Sequence, residues 1–263
     1  MDLQLNGKTA FISGSTQGIG FAIARQLVQE GAEVILHGRT SAKVDTAVQK
    51  LYAEFPAAAV SGRAADLSIP EETARLLQQL PAVDILINNA GVFELRDFEQ
   101  ITDDEWNDIF QVNVMSAVRL SRQVLQGMLS RNRGRIIFIS SESGMNIPGN
   151  MIHYGVSKAA MLALGNGLSK LTKGTAVTVN TILGGPAYSE GVAAAVEHLA
   201  AQHQQPVGVI KEQIIQSTNP HSLLGRFIEP AEIASLAAYL ASPLSSAING
   251  AALRVDGGVL RTL

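Results

Sequence analysis

The chain has 263 residues, of which 46% are hydrophobic and 16% are charged, so it can build a buried core and does not have the composition of a disordered chain. Its 20 basic and 23 acidic residues give a formal net charge of −3, which argues against nucleic acid as a partner. Cysteine is absent, which excludes disulfides, thiolate nucleophiles and zinc sites built on sulfur.

The N-terminal residues MDLQLNGK lack the basic region and the apolar core of a signal peptide, so we expect a cytoplasmic protein. One uncharged stretch, residues 233–253, is long enough to cross a bilayer. Pro243, Asn249 and Gly250 interrupt it. We therefore interpret it as a helix, a turn and a strand, and expect no membrane partner.

Short apolar segments typical of buried strands alternate with longer amphipathic segments along nearly the whole chain. The seven predicted strands are Thr9–Ile12, Val34–His37, Ala58–Gly62, Val83–Ile87, Arg135–Ser140, Ala176–Ile182 and Ala251–Val255. The six main predicted helices are Ile19–Glu30, Ser41–Glu54, Pro70–Leu80, Thr102–Leu129, Ile152–Lys173 and Pro230–Leu240. The alternation predicts an α/β fold: one doubly wound (Rossmann) domain over residues 1–263, with a seven-stranded parallel sheet and helices on both faces. Right-handed crossovers favour a strand order that begins 3-2-1-4-5-6.

The turn between the first strand and the first helix is rich in glycine and reads GSTQGIG. Glycines let the backbone approach a pyrophosphate, and the helix N-terminus supplies donors and partial positive charge. The candidate coenzyme-binding residues here are Gly14, Ser15, Thr16, Gly18, Ile19 and Gly20. A glycine-rich turn without a ligand is the alternative, whereas a phosphotransferase loop would need a lysine that is missing.

The end of the second strand indicates which dinucleotide would bind. An NAD enzyme is expected to carry Asp or Glu there for the ribose hydroxyls, but this chain reads Gly38-Arg39-Thr40-Ser41. The Arg39 guanidinium can pair with a 2′-phosphate, which predicts NADP in preference to NAD. An ordinary solvated arginine at the start of a helix is the alternative.

Tyr154 and Lys158 are four residues apart in a predicted helix, so both side chains lie on one face. A free phenol is a poor acid and a poor base near neutral pH, and a neighbouring cation favours the phenolate. Ser141 directly follows the preceding predicted strand, where its hydroxyl could face the same crevice. A surface pair of Tyr and Lys is the alternative interpretation.

Together these motifs resemble the short-chain dehydrogenase/reductase family over essentially the whole chain. The matching residues are Gly14, Gly18, Gly20, Asp66-Leu67, Asn88-Asn89-Ala90-Gly91, Asn113, Ser141, Tyr154, Lys158, Asn180–Pro186 and Asp256-Gly257-Gly258. The resemblance implies that Tyr154 exchanges a proton with the substrate oxygen and Ser141 holds that oxygen. It implies that Lys158 lowers the phenol pKa and binds the nicotinamide ribose, and that Asn113 anchors a water relay to Lys158.

The resemblance also implies further coenzyme contacts and an oligomer. Asp66 and Leu67 would contact adenine, and the other residues expected along the coenzyme are Asn89, Ala90, Gly91, Gly185 and Ser189. A homotetramer would form through the helices Thr102–Leu129 and Ile152–Lys173. Residues 184–227, with helical pieces at Gly191–Gln204 and Val209–Gln216, are expected to form a substrate-binding insertion or lid.

Three departures from the family pattern affect these expectations. Ser13 replaces the usual threonine, Gly184-Gly185 replaces the usual Pro-Gly pair, and Gln17 stands where many NADP-preferring relatives have a basic residue. The last change leaves Arg39 as the obvious partner for a 2′-phosphate.

The predicted function is hydride transfer between NADP(H) and a small-molecule carbonyl or secondary alcohol, with Tyr154 as the acid/base. A serine hydrolase would need a G-x-S-x-G elbow, which is absent. His198 and His203 are five residues apart in a polar stretch, which does not favour a zinc site, and we expect no metal. The alternative from another class is a non-catalytic dinucleotide-binding sensor or scaffold.

Overall fold

A computed structural model describes residues 1–261, and over that range the chain forms a seven-stranded sheet in the order β3-β2-β1-β4-β5-β6-β7. The strands are β1 Thr9–Ile12, β2 Glu33–Gly38, β3 Val60–Ala64, β4 Ile85–Asn88, β5 Gly134–Ser141, β6 Val177–Gly184 and β7 Ala252–Val255. All neighbouring pairs are parallel. The predicted fold class and strand order are therefore confirmed.

Nine α-helices connect or follow these strands within residues 1–261. They are α1 Gly18–Gln29, α2 Ser41–Glu54, α3 Pro70–Gln78, α4 Asp103–Phe110, α5 Ser116–Ser130, α6 Ile152–Lys170, α7 Glu190–His203, α8 Val207–Thr218 and α9 Pro230–Ala241. Over the same range, none of the helices combines the length and the apolar character that a membrane crossing requires.

The sheet has a hydrophobic layer on each face because side chains alternate along every strand. In β1, Ala10 and Ile12 point into the layer covered by α1, α2 and α9, whereas Phe11 points into the layer covered by α3, α5 and α6. Phe11 and Ile12 are both 0% exposed. This two-sided burial produces the nearly continuous apolar strands that the sequence shows.

The predicted helix over residues 102–129 is interrupted. It begins as expected with a capping box, in which Thr102 Oγ1 accepts from the Glu105 amide at 3.3 Å and the Thr102 amide donates to Glu105 Oε2 at 2.8 Å. Between α4 and α5, however, residues Gln111–Met115 adopt a π-helical turn. Such turns are frequent at functional sites, and this one carries Asn113.

The two helical pieces predicted within the region 184–227 are confirmed as α7 and α8. Its two helices, α7 and α8, pack against each other around Val196, Ala200 and Ile210. After α8, the amides of Leu223 and Leu224 donate to Gly257 O at 2.9 and 3.1 Å. The insertion is thus a helical pair whose end is attached to the segment that follows β7.

Candidate active site

The glycine turn lies at the carboxyl end of β1 and approaches the loop after β4 closely. Gly14 has a φ of +63°, and a Cβ there would lie 2.9 Å from Ala90 Cα. A Cβ at Gly20 would lie 2.4 Å from both Asn89 Nδ2 and Gly14 O. Asn89 Nδ2 also donates to Gly14 O at 2.8 Å. Glycine is therefore required at both positions, and the hydrogen bond from Asn89 stabilises the turn.

The Ser15 side chain supports the turn from below instead of facing the crevice. Its hydroxyl donates to Ile12 O at 2.8 Å and accepts from the His37 amide at 2.9 Å, and Ser15 is 0% exposed. His37, which the sequence analysis did not select, receives the Gly14 amide on Nδ1 at 3.1 Å, and its Nε2 lies 3.1 Å from Ala65 O. A neutral ring that donates from Nε2 satisfies both contacts. Burial lowers the pKa of His37 to about 4.

The lowered pKa makes the stability of the protein depend on His37 at mildly acidic pH. His37 titrates near 6.5 when exposed and near 4 when buried, so the unfolded chain binds its proton first. The stabilisation is complete above pH 6.5 and is lost as the pH falls toward 4, by up to about 3 kcal/mol. Denaturant unfolding at several pH values measures the free energy of unfolding. As the pH falls from 6.5 toward 4, this free energy should decrease less in His37→Gln, which keeps neutral hydrogen-bonding groups, than in the wild type. Equal slopes in both proteins would contradict this prediction.

A crevice with a volume of about 390 Å³ opens beside the glycine turn. Residues from the predicted coenzyme set that line it are Gly14, Thr16, Arg39, Asp66, Leu67, Ala90 and Gly91. Lys43, in the first turn of α2 and four residues after Arg39, lines it as well, and both cations are exposed. Hydrogen bonds from Ser68, helped by the charge of Arg39, lower the pKa of Asp66. Sequence reasoning missed Lys43, although its spacing from Arg39 was visible.

The first residues of α7 contact the start of α1. Glu190 Oε2 accepts a hydrogen bond from the Gly18 amide at 2.6 Å, and Ser189 Cβ lies 3.4 Å from where a Gly18 Cβ would stand. A carboxylate thus lies on the helix N-terminus that the sequence analysis assigned to a pyrophosphate. Ile19 follows as the second residue of α1. Gly185, by contrast, packs against Asp256, whose Cα a Cβ at Gly185 would approach to 2.8 Å.

Ser141, Tyr154 and Lys158 come together where β5 ends against α6. The Lys158 Nζ atom lies 5.6 Å from the centroid of the Tyr154 ring, and the Ser141 hydroxyl lies near enough to the phenol to exert a lowering effect on its pKa. Lys158 is 5% exposed and donates from Nζ to Ile139 O at 2.9 Å. A Cβ at Gly91 would lie 3.3 Å from Nζ, so the loop after β4 passes directly beside the ammonium group.

The pKa of Tyr154 differs from the sequence-based expectation. Burial, together with the charge of Glu142, raises it to about 12 against the lowering effect of Ser141. Burial also lowers the pKa of Lys158 to about 8, an effect that Glu142 opposes. The lysine donates to a backbone carbonyl instead of the phenol oxygen. Tyr154 is therefore a neutral phenol near pH 7, which suits it to give a proton to an oxygen that gains charge.

Asn113 connects the loop after β4 to α6. Its Oδ1 accepts from the Val92 amide at 2.8 Å, and its Nδ2 donates to Val92 O at 3.0 Å and to Ser157 Oγ at 2.9 Å. Ser157 Oγ in turn donates to Tyr154 O at 2.7 Å. The side-chain amide of Asn113 thus fixes the position of α6 near the Tyr154 phenol. The water relay that the family resemblance implies for Asn113 stays a prediction.

The remaining histidines do not form a metal site. His198 and His203 lie on α7 with both side chains exposed. Within residues 1–261, no group of three or more His, Cys, Asp or Glu side chains is arranged to hold a metal ion.

Comparisons with known proteins agree with this geometry. The model of a family described as short chain dehydrogenase matches residues 8–200. The "uncharacterized oxidoreductase YvrD" of Bacillus subtilis is 44% identical over 266 residues, covering 100% of both chains. A 3-oxoacyl-[acyl-carrier-protein] reductase of Vibrio harveyi is 31% identical and covers 98% of this chain and 99% of its own. The crystal structure of L-sorbose reductase from Gluconobacter frateurii, complexed with NADPH and L-sorbose, has a TM-score of 0.93 at 29% identity and covers 100% of both chains.

Proposed function

Because the chain belongs to the short-chain dehydrogenase family and is an oxidoreductase, we propose that it uses NADPH to reduce a small-molecule ketone or aldehyde, with Tyr154 as the proton donor. The observation that carries this proposal is the grouping of a buried lysine, a neutral phenol and a serine hydroxyl at the carboxyl ends of β4 and β5. Ligands of open α/β sheets bind at that edge. The Vibrio and Gluconobacter relatives are both named as reductases, which supports the reductive direction of the proposed reaction.

The residues that would hold NADPH fit the coenzyme. The glycine turn leads into the N-terminus of α1, where a pyrophosphate would bind, Asp66 and Leu67 line the crevice where adenine would lie, and Arg39 with Lys43 would meet a 2′-phosphate. When bound, the coenzyme supplies the hydride. The preference for NADP over NAD rests on the two cations at the start of α2.

The chain's own groups act on the substrate oxygen. Tyr154 donates its proton to that oxygen, which becomes the hydroxyl of the product, and Ser141 holds the oxygen in line. A positioned acid contributes because charge develops on the oxygen as the carbonyl carbon is reduced. The ammonium of Lys158 lies 5.6 Å from the centre of the phenol ring and would stabilise the phenolate that remains.

A screen of ketones, aldehydes and secondary alcohols, followed at the nicotinamide absorbance, tests this proposal. We expect oxidation of NADPH with some carbonyl compounds and a slower reaction with NADH. Binding of NADPH without turnover of any compound would instead favour the sensor or scaffold.

Coenzyme binding is expected to require displacement of Glu190, whose carboxylate lies 2.6 Å from the Gly18 amide. A pyrophosphate would need the same donor and would repel the carboxylate. In Glu190→Ala, we expect NADPH to bind about tenfold more tightly, in line with a lost hydrogen bond to a charged group. Quenching of protein fluorescence measures the affinity. Glu197→Ala, an exposed position on the same helix, is the control, and unchanged or weaker binding in Glu190→Ala would contradict the prediction.

Other parts of the expected function stay predictions. These are the homotetramer through the helices around α4, α5 and α6, the cytoplasmic location, and closure of residues 184–227 over a substrate.

A further inference from the structure

Glu142 directly follows Ser141 and begins a single 3-10 turn, Glu142–Gly144, between β5 and α6. The turn lies tightly against α6, since a Cβ at Gly144 would stand 2.9 Å from the carbonyl carbon of Lys158. The backbone beneath Glu142 is therefore fixed relative to Tyr154 and Lys158. Its carboxylate is a permanent neighbour of the residues that would act on the substrate.

Two serine hydroxyl groups donate hydrogen bonds to the Glu142 carboxylate. Ser141 Oγ donates to Oε2 at 2.5 Å, and Ser143 Oγ donates to Oε1 at 3.1 Å. Within residues 1–261, no ion pair with Lys, Arg or His neutralises it. Its charge acts on both Tyr154 and Lys158, so the carboxylate lies close to both groups. Burial raises the pKa of Glu142, and the bonds from Ser141 and Ser143 oppose that rise.

Because of these contacts, Ser141 cannot donate a hydrogen bond to the substrate unless its hydroxyl rearranges. A serine hydroxyl has a single proton, and that of Ser141 is given to Glu142. Its oxygen already accepts from the Ser143 amide at 3.1 Å. To donate to a carbonyl oxygen, the hydroxyl must turn away from Glu142 and leave a partly buried carboxylate oxygen without its donor. Such a loss is unfavourable unless another donor takes its place.

We propose that Glu142 selects substrates with a hydroxyl group on the carbon next to the reacting carbonyl, accepting a hydrogen bond from that hydroxyl while Ser141 and Tyr154 hold the carbonyl oxygen. The vicinal arrangement presents an acceptor to Ser141 and a donor to Glu142, two side chains that already touch each other. A plain ketone supplies only the acceptor. The substrate class is therefore hydroxyketones and, in the reverse direction, vicinal diols.

Charge disfavours the other polar substituents at this position. A carboxylate or phosphate next to the carbonyl would be repelled by Glu142, and the attraction of Glu142 for an ammonium group would be opposed by the buried charge of Lys158. A neutral donor meets neither obstacle. This inference rests on the proposed reductase activity and adds the substrate class to it.

Three ketones of nearly equal size test whether the protein recognises a hydroxyl donor next to the carbonyl. They are 3-hydroxybutan-2-one, 3-methoxybutan-2-one and 3-methylbutan-2-one. The methoxy compound keeps the oxygen but lacks the donated proton. With the wild-type protein and NADPH, we expect kcat/KM for the hydroxyketone to exceed the other two roughly 10- to 100-fold, the range for a hydrogen bond to a charged group. In Glu142→Ala, that ratio should fall to near one. Glu142→Gln, which keeps the size of the side chain, should retain an intermediate ratio because it can still accept.

The control is Glu33→Ala, which removes an exposed carboxylate at the amino end of β2, on the opposite edge of the sheet. It should leave the ratio as in the wild type. Equal use of the three ketones by the wild type, or an unchanged ratio in Glu142→Ala, overturns the inference and leaves the reductase activity in place. A proportional loss with all three ketones also overturns it, since Glu142 then only positions Ser141. No oxidation of NADPH with any of the three likewise overturns it, and the wider screen then decides the reductase activity separately.

Discussion

Tyr154→Phe is expected to lower kcat about 10³-fold while NADPH binding is largely retained, because the substitution removes one oxygen and leaves the ring in place. General acid catalysis by a positioned side chain typically contributes about 10²- to 10⁴-fold. The phenol keeps its proton near pH 7, since its pKa is raised to about 12. The ring contact with Phe93, at 6.0 Å between centroids, would survive in the variant. Steady-state rates with the best carbonyl substrate, and NADPH titration by fluorescence, measure the two effects.

Tyr239→Phe on α9 is the matched control, because this ring packs against the hydrophobic layer of α1, α2 and α9, away from Lys158. It should keep the wild-type rate. A Tyr154→Phe protein that turns over at the wild-type rate would mean that another group supplies the proton. Loss of NADPH binding in the same variant would instead mean that the phenol mainly supports the coenzyme site.

The parts of the site that sequence reasoning predicted depend on short-range spacing and on topology. Tyr154 and Lys158 are one turn apart on α6, so the periodicity of the helix alone puts them together. The alternation of strands and helices orders the sheet and brings the ends of β1, β4 and β5 to one edge. Ser141 ends β5, and Gly14 and Gly91 come shortly after β1 and β4, so all three lie at that edge.

The parts that could not be predicted are side-chain contacts over long separations and the electrostatics of burial. Glu190 reaches Gly18 across 172 residues, and no periodic pattern encodes that contact. The pKa of Tyr154 was expected to fall beside Lys158, but it rises because burial raises it, with the charge of Glu142 acting in the same direction. Glu142 is adjacent to Ser141 in sequence, yet the direction of its carboxylate depends on how the turn lies against α6.

The second large effect concerns the choice of coenzyme. In Arg39→Ala we expect KM for NADPH to rise about 10- to 100-fold and KM for NADH to change little, because charge-assisted bonds to a phosphate are among the strong ones. Arg39 lies just before α2 and Lys43 lies in its first turn, so both cations border the same end of the crevice. A 2′-phosphate there would also meet the positive end of the α2 dipole.

Lys43 determines how much of the preference for NADPH remains when Arg39 is replaced. A lysine is a point charge without the planar fork of a guanidinium, so Lys43→Ala should raise KM for NADPH less than Arg39→Ala does. The double variant should lose most of the preference, and it should approach equal use of the two coenzymes because no carboxylate at this strand end favours the ribose hydroxyls of NAD. Arg75→Ala, an exposed cation on α3, controls for the change in net charge. If Arg39→Ala and the double variant keep the wild-type ratio of kcat/KM values for NADPH and NADH, then the start of α2 does not recognise the 2′-phosphate, and any preference between the coenzymes must come from other residues that meet it.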